Sequence, residues 1–207
     1  MGERVAKWFR LAKGRALKNS EPLFLQTTDD RGRGLRVTFV WNQDRYSHTV
    51  AIVQGERLLP LLASDECGDD PGWPLAPPLQ QLSIEPRADG CHVALGVGMA
   101  GRSHWSISVE PIAGEPGFLF DIACRTVARP AFLGTRYRSQ VPAMVAPDHA
   151  SAELEISGTR VRVRAVAIAQ QPPTLIGETV DGFAVEPQFA IPLTAPTVRW
   201  QYELRLS

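Results

Sequence analysis

Gly96-Val97-Gly98-Met99-Ala100-Gly101-Arg102-Ser103-His104-Trp105-Ser106-Ile107-Ser108-Val109 decides between two fold classes. Gly96, Gly98 and Gly101 have the G-x-G-x-x-G spacing of a dinucleotide-binding turn, which requires a strand before it and a helix after it. Downstream of the glycines, Trp105, Ile107 and Val109 instead alternate with His104, Ser106 and Ser108. A period of two belongs to a half-buried strand, because successive side chains on an extended chain point to opposite faces. The stretch is a β-hairpin, and the nucleotide motif fails.

The same period recurs on either side. Upstream, Leu35, Val37, Phe39 and Trp41 alternate with Arg36 and Thr38, and Tyr46, His48, Val50 and Ile52 resume the pattern after a loop at 42–45. Strands are also expected at 23–28, 58–62, 79–84 and 91–97, the first ones as a meander. Toward the C-terminus, Phe118, Phe120, Ile122 and Cys124 oppose Leu119, Asp121, Ala123 and Arg125. Further strands are expected at 152–156, 160–169 and 197–206, with one more at 179–186; the stretch 130–147 is less regular. In the last strand Val198, Trp200, Tyr202 and Leu204 alternate with Arg199, Gln201, Glu203 and Arg205, which predicts one buried face. The expected fold is all-β: a single antiparallel β-sandwich or closed barrel of roughly 10–12 strands over 21–207, preceded by a short amphipathic helix within 1–20.

Composition fits that fold. The chain has 207 residues, enough for one core, and its 17 glycines and 17 prolines suit many turns. Net charge is zero but segregated: residues 1–18 carry +5 and the remainder −5. The body lacks the basic character of a nucleic-acid-binding domain. In the basic segment Val5, Trp8, Phe9, Ala12 and Ala16 share one arc of a helix, with Arg4, Lys7, Arg10, Lys13 and Lys18 around the other. Lys7, Trp8, Phe9, Arg10 and Lys13 are the candidates for contact with a protein partner or an anionic membrane surface. The alternative is that Trp8 and Phe9 pack on the protein's own body.

Three cysteines without CxxC spacing indicate neither a disulfide framework nor a zinc site. Cys91 and Cys124 fall at opposite ends of neighbouring strands and are expected to be small buried hydrophobes. The acidic run Asp65, Glu66, Asp69, Asp70 does not match the order of an EF-hand loop and is expected to be a solvated loop. Trp73, in the proline-rich stretch 71–78, is expected to tuck into the core. No cofactor motif is present, and no cofactor is expected. The absence of a leader pattern, lipidation motif or long apolar run makes a cytoplasmic location the expectation.

The hairpin supplies the candidate site. A three-residue loop, Met99 to Gly101, would pair Gly98 with Arg102 and set Gly96 opposite His104. Val93, Leu95 and Val97 would then join Trp105, Ile107 and Val109 on the apolar face. His92, Gly96 and Gly98 would share the other face with Arg102, His104 and Ser106, leaving a hollow beside polar groups. That face suits a polar or anionic small molecule or a glycan. Against this, strand glycines also mark close packing by another backbone, with the histidine merely satisfied.

No hydrolase elbow, phosphate loop or metalloprotease motif is present. The expected function is that of a non-enzymatic binding module. Two alternatives stand beside it: a carbohydrate-directed isomerase or hydrolase using His104 or His48 with a carboxylate, and a peripheral scaffold tethered through the N-terminal basic helix.

Overall fold

The computed structural model of the chain describes residues 21–66, 68, 70–127, 129–188 and 197–207. The helix expected within 1–20 lies outside the described residues. Among the described residues there are 15 strands and no helix. In chain order these are β1 (Leu23–Thr28), β2 (Arg33–Asn42), β3 (Arg45–Gln54), β4 (Arg57–Ser64), β5 (Gln81–Pro86), β6 (His92–Ala100), β7 (Ser103–Pro111) and β8 (Gly117–Arg125). They continue as β9 (Thr135–Ser139), β10 (Met144–Val145), β11 (Ser151–Ile156), β12 (Thr159–Val166), β13 (Thr174–Thr179), β14 (Gly182–Pro187) and β15 (Thr197–Leu206).

Two antiparallel sheets result. One has seven strands in the order β1-β2-β3-β4-β9-β14-β13, and the other eight in the order β10-β11-β12-β15-β8-β7-β6-β5. Alternation explains how they meet. The pairing of β15 with β8 sets Trp200 beside Ile122, Tyr202 beside Phe120 and Leu204 beside Phe118, all buried. From the other sheet Leu35, Val37 and Phe39 of β2 and Val50 and Ile52 of β3 complete the core. Each large apolar side chain buried in this way contributes about 1.5–3 kcal/mol. The architecture is a β-sandwich.

The crossover between β4 and β5 is stitched to both sheets. Arg136 N–H donates to Leu75 O at 2.7 Å and Tyr46 N–H to Leu79 O at 2.7 Å, whereas Gln80 N–H donates to Val97 O at 3.0 Å. Trp73 packs against the core from this crossover, as its sequence context suggests.

Several expectations are corrected. The strand expected across 179–186 is a hairpin, β13 and β14, turning between the paired Thr179 and Gly182. Arg136-Tyr137-Arg138, in the stretch read as less regular, is the body of β9, and Tyr137 is fully buried. Cys91 is exposed rather than buried, whereas Cys124 is buried. The focal hairpin turns in two residues instead of three, with Ala100 paired to Ser103 and Gly101 at φ +55°, the first turn position, where a tight hairpin favours glycine.

That one-residue difference exchanges the faces of β6, because the side-chain period is two. Gly98 faces Trp105 and Gly96 faces Ile107, so Ala94, Gly96, Gly98 and Ala100 turn toward the core while Leu95, Val97 and Met99 turn outward. The crossover explains the choice. A Cβ on Gly98 would lie 1.7 Å from Pro78 O, and one on Gly96 would lie 2.8 Å from Ile107 Cγ2. Only the small residues of β6 fit inside.

Candidate functional site

The candidate surface is the outer face of the eight-stranded sheet over β5 to β8. Register places the side chains in rows across the strands. One row runs Ser83, Leu95, Ser108, Asp121; the next runs Gln81, Val97, Ser106, Ala123; a third runs Met99, His104, Arg125. Leu95, Val97 and Met99 are 44%, 49% and 47% exposed, a continuous apolar line on one strand. Beside it lies a line of hydroxyls and one imidazole from β7.

The rest of this sheet face has a different chemistry. Asp121 accepts from Arg199 and Gln201, and Glu203 accepts from Arg164 and Arg205. Arg205 also reaches Glu115, and Arg162 holds Glu153. Arginines and carboxylates are matched there and screen the sheet with charge. On the β5–β7 portion Arg87 pairs with Glu110 at the far end of β7, and among the described residues no such pair covers Leu95, Val97 and Met99.

The expected site residues divide. His104 and Ser106 share the outer face, next to Met99 and Val97. Arg102 is exposed at the turn. His92 pairs with Pro86 near the far end of β6, seven residues from Met99, a span of about 23 Å at the rise of an extended strand. Gly96 and Gly98 point inward and do not border His104, so the hollow expected there is filled by Leu79, Leu82, Ile107 and the backbone of Pro78. Lys7, Trp8, Phe9, Arg10 and Lys13 lie outside the described residues. Leu95 and Val97 escaped notice because their size argued for the core, and Met99 because it reads as a turn residue; the signal for the true register was the alternation of small residues from Ala94 to Ala100.

His48 is buried between the sheets. Its Nε2 is 2.8 Å from the Tyr137 hydroxyl, which is 2.8 Å from the Tyr202 hydroxyl. Phe39 and Phe120 flank the imidazole at ring-centre separations of 5.9 and 5.8 Å. Burial lowers the His48 pKa to about 4 and raises both tyrosines. These three side chains form a neutral structural network without access for a substrate.

Three surface cavities, of about 680, 170 and 850 Å³, open elsewhere, and His104 lines none of them. Among the described residues no group of three or more His, Cys, Asp or Glu side chains is placed to hold a metal ion. No protein-family model, curated protein or solved structure matches this chain.

Proposed function

We propose that this protein is a non-enzymatic interaction module whose working surface is the outer face of β5 to β7, and whose partner is a protein with a flat, uncharged, partly apolar surface. The observation that carries this is the exposed line Leu95, Val97, Met99 beside His104, Ser106 and Ser108, on a sheet whose other strands are covered by ion pairs. Contiguous exposed apolar surface costs a free protein solubility and marks interaction sites. A protein partner fits better than the polar small molecule or glycan expected from sequence. The cavities of about 680, 170 and 850 Å³ are not lined by residues of this face, and two rings on which a sugar could stack, Trp105 and Trp200, are buried. A carbohydrate-directed enzyme loses the support of His48, which is sealed in the core.

Site-specific photo-cross-linking in cells tests the proposal. A photoreactive residue at Val97 should give discrete protein adducts, and one at Arg162, on the ion-paired part of the same sheet, should not. Equal adduct patterns at both positions, or none at Val97, would contradict it. The tether alternative concerns residues 1–18, whose charge segregation motivates it. Vesicle co-sedimentation of the full chain and a form lacking residues 1–20 separates the two, since unchanged vesicle binding after truncation would remove the tether.

A further inference from the structure

We propose that the open edge of β1 pairs antiparallel with β1 of a second copy of this chain, so that the two seven-stranded sheets join across a two-fold axis through Gln26. A strand at the margin of a sheet leaves backbone N–H and C=O groups unpaired on one side, and proteins usually block such edges. The other sheet margins here are blocked. β13 is capped by His149, whose carbonyl accepts the Ile176 N–H at 2.7 Å and whose Nδ1 lies 3.1 Å from Ile176 O. β10 is two residues long, and β5 ends in Glu85 and Pro86. β1 is the exception: Leu23-Phe24-Leu25-Gln26-Thr27-Thr28 has no charge, no proline and an unshifted register with β2.

The pairing with β2 tells which groups this edge offers. Asp29 N–H donates to Arg33 O at 2.7 Å and Thr28 pairs with Gly34, so hydrogen-bonded pairs recur at every second residue: Thr27 with Leu35, Leu25 with Val37 and Leu23 with Phe39. The other side of β2 agrees, since Gly55 N–H donates to Gly32 O at 3.0 Å and turns the even-numbered residues toward β3. The backbone groups of Phe24, Gln26 and Thr28 therefore point away from β2. Among the described residues they have no backbone partner on that side.

A second copy is the occupant that these groups fit. Turned about a two-fold axis through Gln26, the strand sets Gln26 against its own copy and Phe24 against Thr28, each pair exchanging N–H to O bonds in both directions. Phe24, 50% exposed in the single chain, is then covered, and an aromatic ring beside a β-branched residue is a favourable cross-strand pair. Its setting is ordered already: Arg36 Nε donates to Gln26 Oε1 at 2.8 Å, and the Arg36 guanidinium lies 4.4 Å from the centre of the Phe24 ring. β1 is the unblocked margin among the described strands, so within this chain its complement is β1 itself. The β5–β7 face belongs to the other sheet, and the pairing of β1 is independent of what that face binds.

Sedimentation velocity of the full chain from about 5 to 500 µM should show a monomer–dimer equilibrium, as expected for a small interface. Gln26→Glu keeps an acceptor for Arg36 but sets two carboxylates face to face on the axis, and should weaken the dimer by about 10-fold or more. Mixing Gln26→Glu with Gln26→Lys, each first shown by thermal unfolding to be folded, should restore a dimer, because the symmetric register brings the two substituted positions together. Amide exchange reads the same edge without a variant: Phe24, Gln26 and Thr28 should gain protection as wild-type concentration rises, whereas Leu25 and Thr27 should be protected throughout. A monomer at about 500 µM would overturn the proposal, as would a dimer that Gln26→Glu leaves intact or a mixture that stays monomeric. Protection of Phe24, Gln26 and Thr28 at every concentration would overturn it too, since the chain would then cover its own edge.

Discussion

His48 Nε2 and the Tyr137 hydroxyl lie 2.8 Å apart at the centre of the sandwich, and Tyr137 passes the contact to Tyr202 in the facing sheet. Three polar side chains thereby cross a mostly apolar interior in which Thr135 is also buried. Such a network fixes the relative position of the sheets, at the cost of keeping an imidazole away from water.

Acid should weaken the fold through His48. Its pKa falls from 6.5 to about 4 on burial, so the unfolded chain takes up the proton first. The stability that the neutral imidazole provides is present above about pH 6.5 and is lost as pH falls toward 4, by about 3 kcal/mol. Glu66 acts in the opposite sense: its raised pKa makes its contribution favourable below 4.5 and lost as pH rises. Urea unfolding at pH 7 and pH 4.5 should show the loss, and a steeper one in Glu66→Gln. Equal stability at both pH values in that variant would count against a buried, neutral His48.

Gly98 and Gly177 should respond very differently to the same substitution. Gly98→Ala drives a methyl group into Pro78 O and should destabilise by about 3 kcal/mol or more, since backbone must move. A Cβ on Gly177 meets nothing within 4 Å, so Gly177→Ala should stay within about 0.5 kcal/mol of the wild type. Thermal unfolding of the pair checks the hairpin register, because the three-residue turn would leave Gly98 room for the methyl.

His149 guards an edge. β13 ends the seven-stranded sheet, and on its open side Ile176 N–H donates to His149 O at 2.7 Å while His149 Nδ1 donates to Ile176 O at 3.1 Å. One residue, held at φ +56°, thus supplies both bonds of a missing strand. His149→Ala should cost about 1 kcal/mol and free a carbonyl for pairing between molecules. Light scattering at rising protein concentration should report more self-association than in wild type.

Much of the fold is legible from alternation. β1 occupies the residues expected, and the inward sets of β2, β8 and β15 come directly from period-two patterns. The company of Val50 and Ile52 places His48 inside. What fails depends on contacts distant in sequence. Nothing local announces that Pro78 will lie on Gly98, yet that contact fixes the face of β6 and therefore the exposure of Leu95, Val97 and Met99. β9 escapes because Arg136-Tyr137-Arg138 is too short a pattern to separate from a loop; it is defined by its pairing with β4 and β14. On the outer face, the positions of His104 and Ser106 follow from alternation in β7, but the exposure of Leu95, Val97 and Met99 does not.

The central claim is that the β5–β7 face is where this protein meets its partner. The direct measurement is the affinity for the protein cross-linked at Val97, by calorimetry with wild type, Val97→Glu and Arg162→Glu. Val97 is half-exposed, so its replacement should leave the melting temperature nearly unchanged. The account predicts that Val97→Glu weakens binding by about 10-fold or more while Arg162→Glu leaves it within about 2-fold. Undiminished binding by Val97→Glu, or a larger loss in Arg162→Glu, would contradict it.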